Sequence, residues 1–146
     1  MEKQNKNFVL DSSAIAILLS TFKEKAISLI KGRITLDLAY YELGNVLWKE
    51  AILLKRINKK EARERAKEVG LILSEMEVMR ISDPEELVEI MSLALKSKLT
   101  FYDSVYLFIT RKLNASLVTE DSKLIKKSKE VGVKAMSTQE YIKLFK

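Results

Sequence analysis

The stretch Phe8-Val9-Leu10-Asp11-Ser12-Ser13-Ala14 sets the reading of the chain: three apolar residues stop at an acid, and a helix-compatible run begins at once. Three residues are too few for a helix, so the apolar run reads as a short buried strand that needs sheet neighbours. The same unit recurs. Ile34-Thr35-Leu36, Val78-Met79-Arg80-Ile81, Ser116-Leu117-Val118 and Val133-Lys134-Ala135-Met136 are further strand candidates, and longer amphipathic segments separate them. Alternation of this kind predicts a doubly wound α/β domain with a parallel sheet.

The intervening segments read as helices over 12–31 (one or two), 39–56 and 60–74 across the polar hinge Ile57-Asn58-Lys59, 83–96, 102–113, 120–130 and 138–145. Ala62, Ala66, Val69 and Leu73 form a narrow apolar stripe under a charged face. Asp83-Pro84-Glu85-Glu86 is a helix start, with Asp83 as N-cap and Pro84 at the first helical position. Val105-Tyr106-Leu107-Phe108-Ile109 is apolar on every side and predicts a buried helix.

With 146 residues, the chain fits one domain, 1–146. Hydrophobic residues make up 47% and Gly and Pro number 4 and 1, which argues against disorder and against a turn-rich all-β fold. The polar opening Met1–Asn7 offers neither a signal peptide nor a membrane span, so a cytoplasmic protein is expected. Abundant Lys, Glu and Ile with no Cys hints at a thermophilic source. The absence of both His and Cys excludes zinc fingers, thiol nucleophiles and Ser-His-Asp triads. A formal charge of +6 favours a polyanionic partner.

In open α/β sheets ligands bind beyond the carboxyl ends of the strands, and acids recur there. Asp11 follows the first strand, Asp37 the second, and Thr119-Glu120-Asp121 the fourth; Glu42 and Asp103 stand in the first turns of helices. Each has a plain alternative. Asp11 can cap a helix, Asp103 lies three residues after Thr100 as in a capping box, and Glu120-Asp121 can be first-turn acids behind a Thr119 cap. Glu42 is harder to dismiss, because it borders the apolar stripe Ala39, Leu43, Val46 and Ile57, where a carboxylate needs a partner. Asp103 opens the most apolar helix, which predicts deep burial. Converging carboxylates repel, and a bound cation resolves the repulsion; oxygen-only ligation selects Mg²⁺ or Mn²⁺ and points to phosphoryl chemistry.

Four landmarks together, Phe8-Val9-Leu10-Asp11-Ser12-Ser13-Ala14, Glu42 after the second strand, Phe101-Tyr102-Asp103 and Leu117-Val118-Thr119-Glu120-Asp121-Ser122-Lys123-Leu124, resemble the PIN domain family, specifically the VapC-type toxin ribonucleases. The resemblance implies a three-layer sandwich with a parallel sheet of about five strands flanked by helices. It implies an acidic pocket of Asp11, Glu42, Asp103 and Asp121 that binds Mg²⁺ or Mn²⁺ and cuts single-stranded or looped RNA with metal-activated water. Ser13 and Thr119 would orient waters or carboxylates, and either Glu120 or Asp121 could point inward. Asp37 matches no family acid, and Tyr102 is expected to pack rather than stack on a base. The resemblance further implies a homodimer and a small VapB-like antitoxin whose tail occupies a groove beside the pocket, held largely by the helical pair over 39–74.

Basic residues at Lys55-Arg56, Lys59-Lys60, Lys96, Lys98, Arg111-Lys112 and Lys126-Lys127 read mostly as solvated faces. Arg111 is the exception as an RNA contact, since Asp103, Leu107 and Arg111 are four apart on one helix face. A haloacid-dehalogenase-like phosphatase needs an Asp where Ser13 stands, and a receiver domain needs a phosphoacceptor where Asp83 only starts a helix. A non-catalytic PIN-like RNA-binding or scaffold protein would be expected to have lost acids, and all four are kept here.

Overall fold

The computed structural model describes residues 7–145. Six residues of the polar opening lie outside them. Strand β1 (Phe8–Leu10) leads into α1 (Ser12–Phe22), a 3₁₀ turn (Lys23–Lys25) and α2 (Ala26–Ile30); β2 (Ile34–Leu36) leads into α3 (Leu38–Trp48), which loosens into a π turn (Lys49–Leu53), and α4 (Lys59–Ser74). Strand β3 (Glu77–Met79) is followed by α5 (Pro84–Ser97) and α6 (Phe101–Lys112), β4 (Ser116–Val118) by α7 (Ser122–Glu130), and β5 (Lys134–Met136) by α8 (Thr138–Lys143). All ladders are parallel, in the order β3-β2-β1-β4-β5.

Alternation along β1 divides the core. Phe8 and Leu10 join Ile15, Leu18, Ile30, Leu43 and Leu73 on one face, under α1–α4 and α8, while Val9 joins Ile90, Leu107, Ile109 and Leu124 on the other, under α5–α7. These are the three layers the resemblance implies. Helix α6 is buried continuously from Ser104 to Thr110, as its all-round apolarity predicts. The helix starts follow their caps: Asp83 accepts from the Glu85 N–H at 3.0 Å, and Asn58 from the Glu61 N–H at 2.8 Å. Gly32 and Gly132, each in the left-handed region just past a helix, turn the chain into β2 and β5.

Several boundaries differ from expectation for physical reasons. The third strand occupies Glu77–Met79 rather than 78–81, because its register is set by β2: Leu36 pairs with Met79, the Asp37 N–H donates to Met79 O at 2.9 Å, and α3 then leaves the sheet. Arg80 and Ile81 thus have no strand beside them. Helix α7 starts at Ser122 with Asp121 as its cap, not at Glu120 behind Thr119. Ala66, expected in the buried stripe of α4, is exposed, while Leu73 alone in that helix is fully covered. No helix among the described residues is long and apolar enough to cross a membrane.

Candidate functional site

The strand order leaves a crevice where β1 and β4 lie side by side, because the chain leaves β1 toward β2 and returns only after β3 to form β4 on the other flank. That is the switch point at which open α/β sheets bind ligands. Asp11 ends β1 and Thr119 ends β4; the Asp11 N–H donates to Val118 O at 3.2 Å, tying the two strand ends together. Helix α6 brings Asp103 to this end of the sheet in its first turn, and α3 brings Glu42 in its second.

Asp11 is 7% exposed. Its Oδ1 accepts from the Ser13 hydroxyl (2.7 Å) and from the Ala14 N–H (2.9 Å), so it caps α1 and faces the crevice at once. Burial raises its pKa to about 6, against hydrogen bonds from Thr119, Ser13 and Ala14 that lower it, and the charge of Glu42 raises it further. Glu42 is held by the Tyr106 hydroxyl, which donates to its Oε1 at 2.9 Å. Burial pushes Glu42 up, Tyr106 and Ser12 pull it down, and Asp103 adds repulsion. Asp103 is partly exposed rather than deeply buried, because it lies in the opening turn behind the Thr100 cap, ahead of the buried stretch. Burial nonetheless raises it; Thr100 lowers it, Asp121 raises it, and Lys123 offsets part of that. Asp121 caps α7, its Oδ1 accepting from the Lys123 and Leu124 N–H groups at 3.0 and 3.2 Å.

The four acids thus form a sequence of mutual repulsion, Asp11 to Glu42 to Asp103 to Asp121. In this conformation each carboxylate rests on its own donors, and among the described residues no three acids converge on one point. The capping bonds of Asp11 and Asp121 use one oxygen, Oδ1, in each case. Four carboxylates with neighbouring hydroxyls, in a chain with no imidazole or thiol, are a donor set that fits a hard divalent cation.

Ser13 and Thr119 lie inside this network: their hydroxyls are 3.3 Å apart, and Thr119 Oγ1 accepts from the Asp121 N–H at 3.2 Å. Glu120 turns away, its Oε1 accepting from Thr138. Asp37 is exposed and makes no side-chain capping bond. Arg111 is not brought to the acids. It lies in the last turn of α6, about 12 Å of helix rise from Asp103, in a cleft with Glu86, Glu89 and Phe108. Tyr102, expected to pack, is 62% exposed, because Phe101 takes the inward position of that first turn. Tyr106 was not singled out as a site residue. The available signal was a hydroxyl inside the most buried helix, three residues beyond Asp103 on the same face, which must find a polar partner.

Residues 8–130 match the PIN domain family. Two relatives from Pyrobaculum aerophilum are similar in sequence: one named Ribonuclease VapC3, 36% identical over 82% of this chain and 92% of its own, and one named Exonuclease VapC9, 32% identical over 84% and 86%. The crystal structure of PAE2754, from the same organism, superposes with a TM-score of 0.77 at 28% identity and 98% coverage of both chains. The strand order, the acids at its switch point and these likenesses agree: the chain belongs to the PIN domain family, beside relatives that carry the name VapC.

Proposed function

We propose that the chain is a metal-dependent endoribonuclease and the toxin of a VapBC-type pair. The observation that carries this reading is the line of four mutually repelling carboxylates at the β1/β4 switch point. Asp11, Glu42, Asp103 and Asp121 would hold Mg²⁺ or Mn²⁺, with Ser13, Thr119 and Tyr106 fixing the orientation of the carboxylates. A divalent cation held there supplies positive charge for the phosphodiester oxygens and makes water nucleophilic near neutral pH. The protein's share is to hold the acids near one another against their repulsion, burial raising the pKa of Asp11 toward neutrality. A net charge of +6 favours an RNA partner.

The test is cleavage of a fluorescent single-stranded RNA panel and of a circular RNA with Mg²⁺, Mn²⁺ or EDTA, beside Asp11→Ala and Asp103→Ala. Metal-dependent cutting lost in both variants is the expected result, and opening of the circle separates internal cleavage from digestion at ends. No cutting of any substrate, with no metal-dependent rise in thermal stability, overturns the reading.

Two surfaces support the partners. A groove of about 940 Å³, walled by Ile17, Leu43, Val46, Leu47 and Val69 and reaching Ser13 and Glu120, suits the apolar tail of an antitoxin lying against α1, α3 and α4. Leu87, Val88, Met91 and Leu95 form an exposed apolar stripe on α5 that suits a second copy of the chain. Light scattering of Leu95→Glu, expected to be monomeric, checks the latter.

A further inference from the structure

Glu120 stands next to an acid of the carboxylate line, yet its side chain is committed elsewhere. Its Oε1 accepts from the backbone N–H of Thr138 at 3.2 Å and from the Thr138 hydroxyl. Thr138 is buried and is the first residue of α8, whose own cap, Ser137, serves the Glu140 N–H instead. Glu120 is also held through its backbone: its N–H donates to Ser13 Oγ at 3.1 Å, and that same hydroxyl donates to Asp11 Oδ1. One step earlier, the Thr119 N–H donates to Met136 O (3.0 Å), and one step later the Asp121 N–H reaches Thr119 Oγ1. The turn carrying Asp121 is therefore fastened at the pocket by hydroxyls and at its outer side by Thr138.

Thr138 is a fixed post rather than a passenger of that turn. Helix α8 is anchored independently: the Tyr141 hydroxyl donates to Leu29 O and accepts from Arg33 Nε at 2.8 Å, and its ring meets Phe8 edge-on at 5.0 Å. We infer that Glu120 is a positioning residue, whose bond to Thr138 holds the β4–α7 turn so that Ser13 stays on Asp11 and Asp121 stays in the carboxylate line. The inference rests on the nuclease reading above for its kinetic consequences. It differs from two other roles: a cation ligand, which would need the charge of Glu120 and not Thr138, and a cap for α8 alone, which would affect stability and nothing else.

The test compares Glu120→Ala, Glu120→Gln, Thr138→Val and the double variant Glu120→Ala/Thr138→Val, measuring kcat and KM on RNA and the Mn²⁺ concentration that gives half the metal-induced rise in Tm. Glu120→Ala is expected to lower kcat about ten-fold and Thr138→Val, which keeps the backbone N–H bond, a few-fold; both should raise the Mn²⁺ midpoint, with KM for RNA little changed. The double variant should be no worse than Glu120→Ala alone, because the hydroxyl bond lost in Thr138→Val is one that Glu120→Ala already removes. Glu120→Gln keeps an acceptor for Thr138 and should retain most activity. Equal damage in Glu120→Gln and Glu120→Ala with Thr138→Val unaffected would overturn the inference in favour of a ligand. A lower Tm with kcat and Mn²⁺ midpoint unchanged would overturn it in favour of a cap. If the wild type cuts no RNA, the nuclease reading has failed, and the Mn²⁺ midpoints alone decide the role of Glu120.

Discussion

The two ends of the sheet treat charge in opposite ways. At the amino ends of the strands, Arg33 is enclosed by the rings of Phe8, Tyr141 and Phe145, 4.9 to 5.9 Å from their centroids, and its Nε donates to the Tyr141 hydroxyl. The cation there lies against π faces and an oxygen, and the last helix is held down by the arrangement. At the carboxyl ends, about 10 Å away along three-residue strands, the four carboxylates repel one another in succession, and among the described residues Lys123 offsets part of the repulsion at Asp103. One end is compensated within the chain. The other keeps an electrostatic cost that a bound cation would relieve, in keeping with the metal site proposed above.

The largest expected effect separates the two ends by activity. Asp11→Asn should lower RNA cleavage about a hundred-fold or more, since several kcal/mol of charge stabilisation is at stake. The same substitution should stabilise the fold in EDTA. The folded chain holds the Asp11 proton to about pH 6 while the unfolded chain releases it near 3.8, so wild-type stability falls as pH rises from about 4 through about 6, by up to about 3 kcal/mol. Thermal melts in EDTA should show Asp11→Asn and wild type converging near pH 4, with the variant more stable at pH 7.5. Equal pH dependence in the two would remove the stored cost from the comparison.

Arg33→Met should do the reverse. Loss of the cation–π contacts and of the Tyr141 bond should cost about 2 kcal/mol by denaturant titration, while kcat at a temperature where the variant stays folded should match wild type. A change in kcat would mean that the two ends are coupled through α8. The smallest effect is expected from Tyr106→Phe: about 1 kcal/mol or less in stability, and a few-fold fall in kcat as Glu42 loses one of its two hydroxyl donors.

Much of this frame was legible from local pattern. Phe8–Leu10 and Ser116–Val118 read as strands because each is a short apolar run closed by a polar residue, and Asp83-Pro84 announced α5 through its cap. The acids were legible one by one, because each lies just past a strand or in the opening turns of a helix, but Asp37 does so too, and only the resemblance to the PIN family grouped Asp11, Glu42, Asp103 and Asp121. Contacts between distant segments were not. The Tyr106–Glu42 bond joins residues 64 apart and Glu120–Thr138 residues 18 apart, so no local pattern told Glu120 from Asp121. Strand β3 was misplaced for the same reason, its register belonging to β2. Tyr102 was misjudged because the inward place beside it went to Phe101.

The strand order also has a consequence in time. Beta strand 1 lies between β2 and β4, and β4 is the fourth strand to be synthesised. A nascent chain that has emerged through Asp103 carries three of the four acids but lacks the strand that closes the crevice, so β1 remains an open edge and Asp11 lacks Thr119 and Asp121 across from it. The crevice is therefore closed only after β4 and Asp121 have followed Asp103 out of the ribosome, and until then the acids already made have no fourth wall around them.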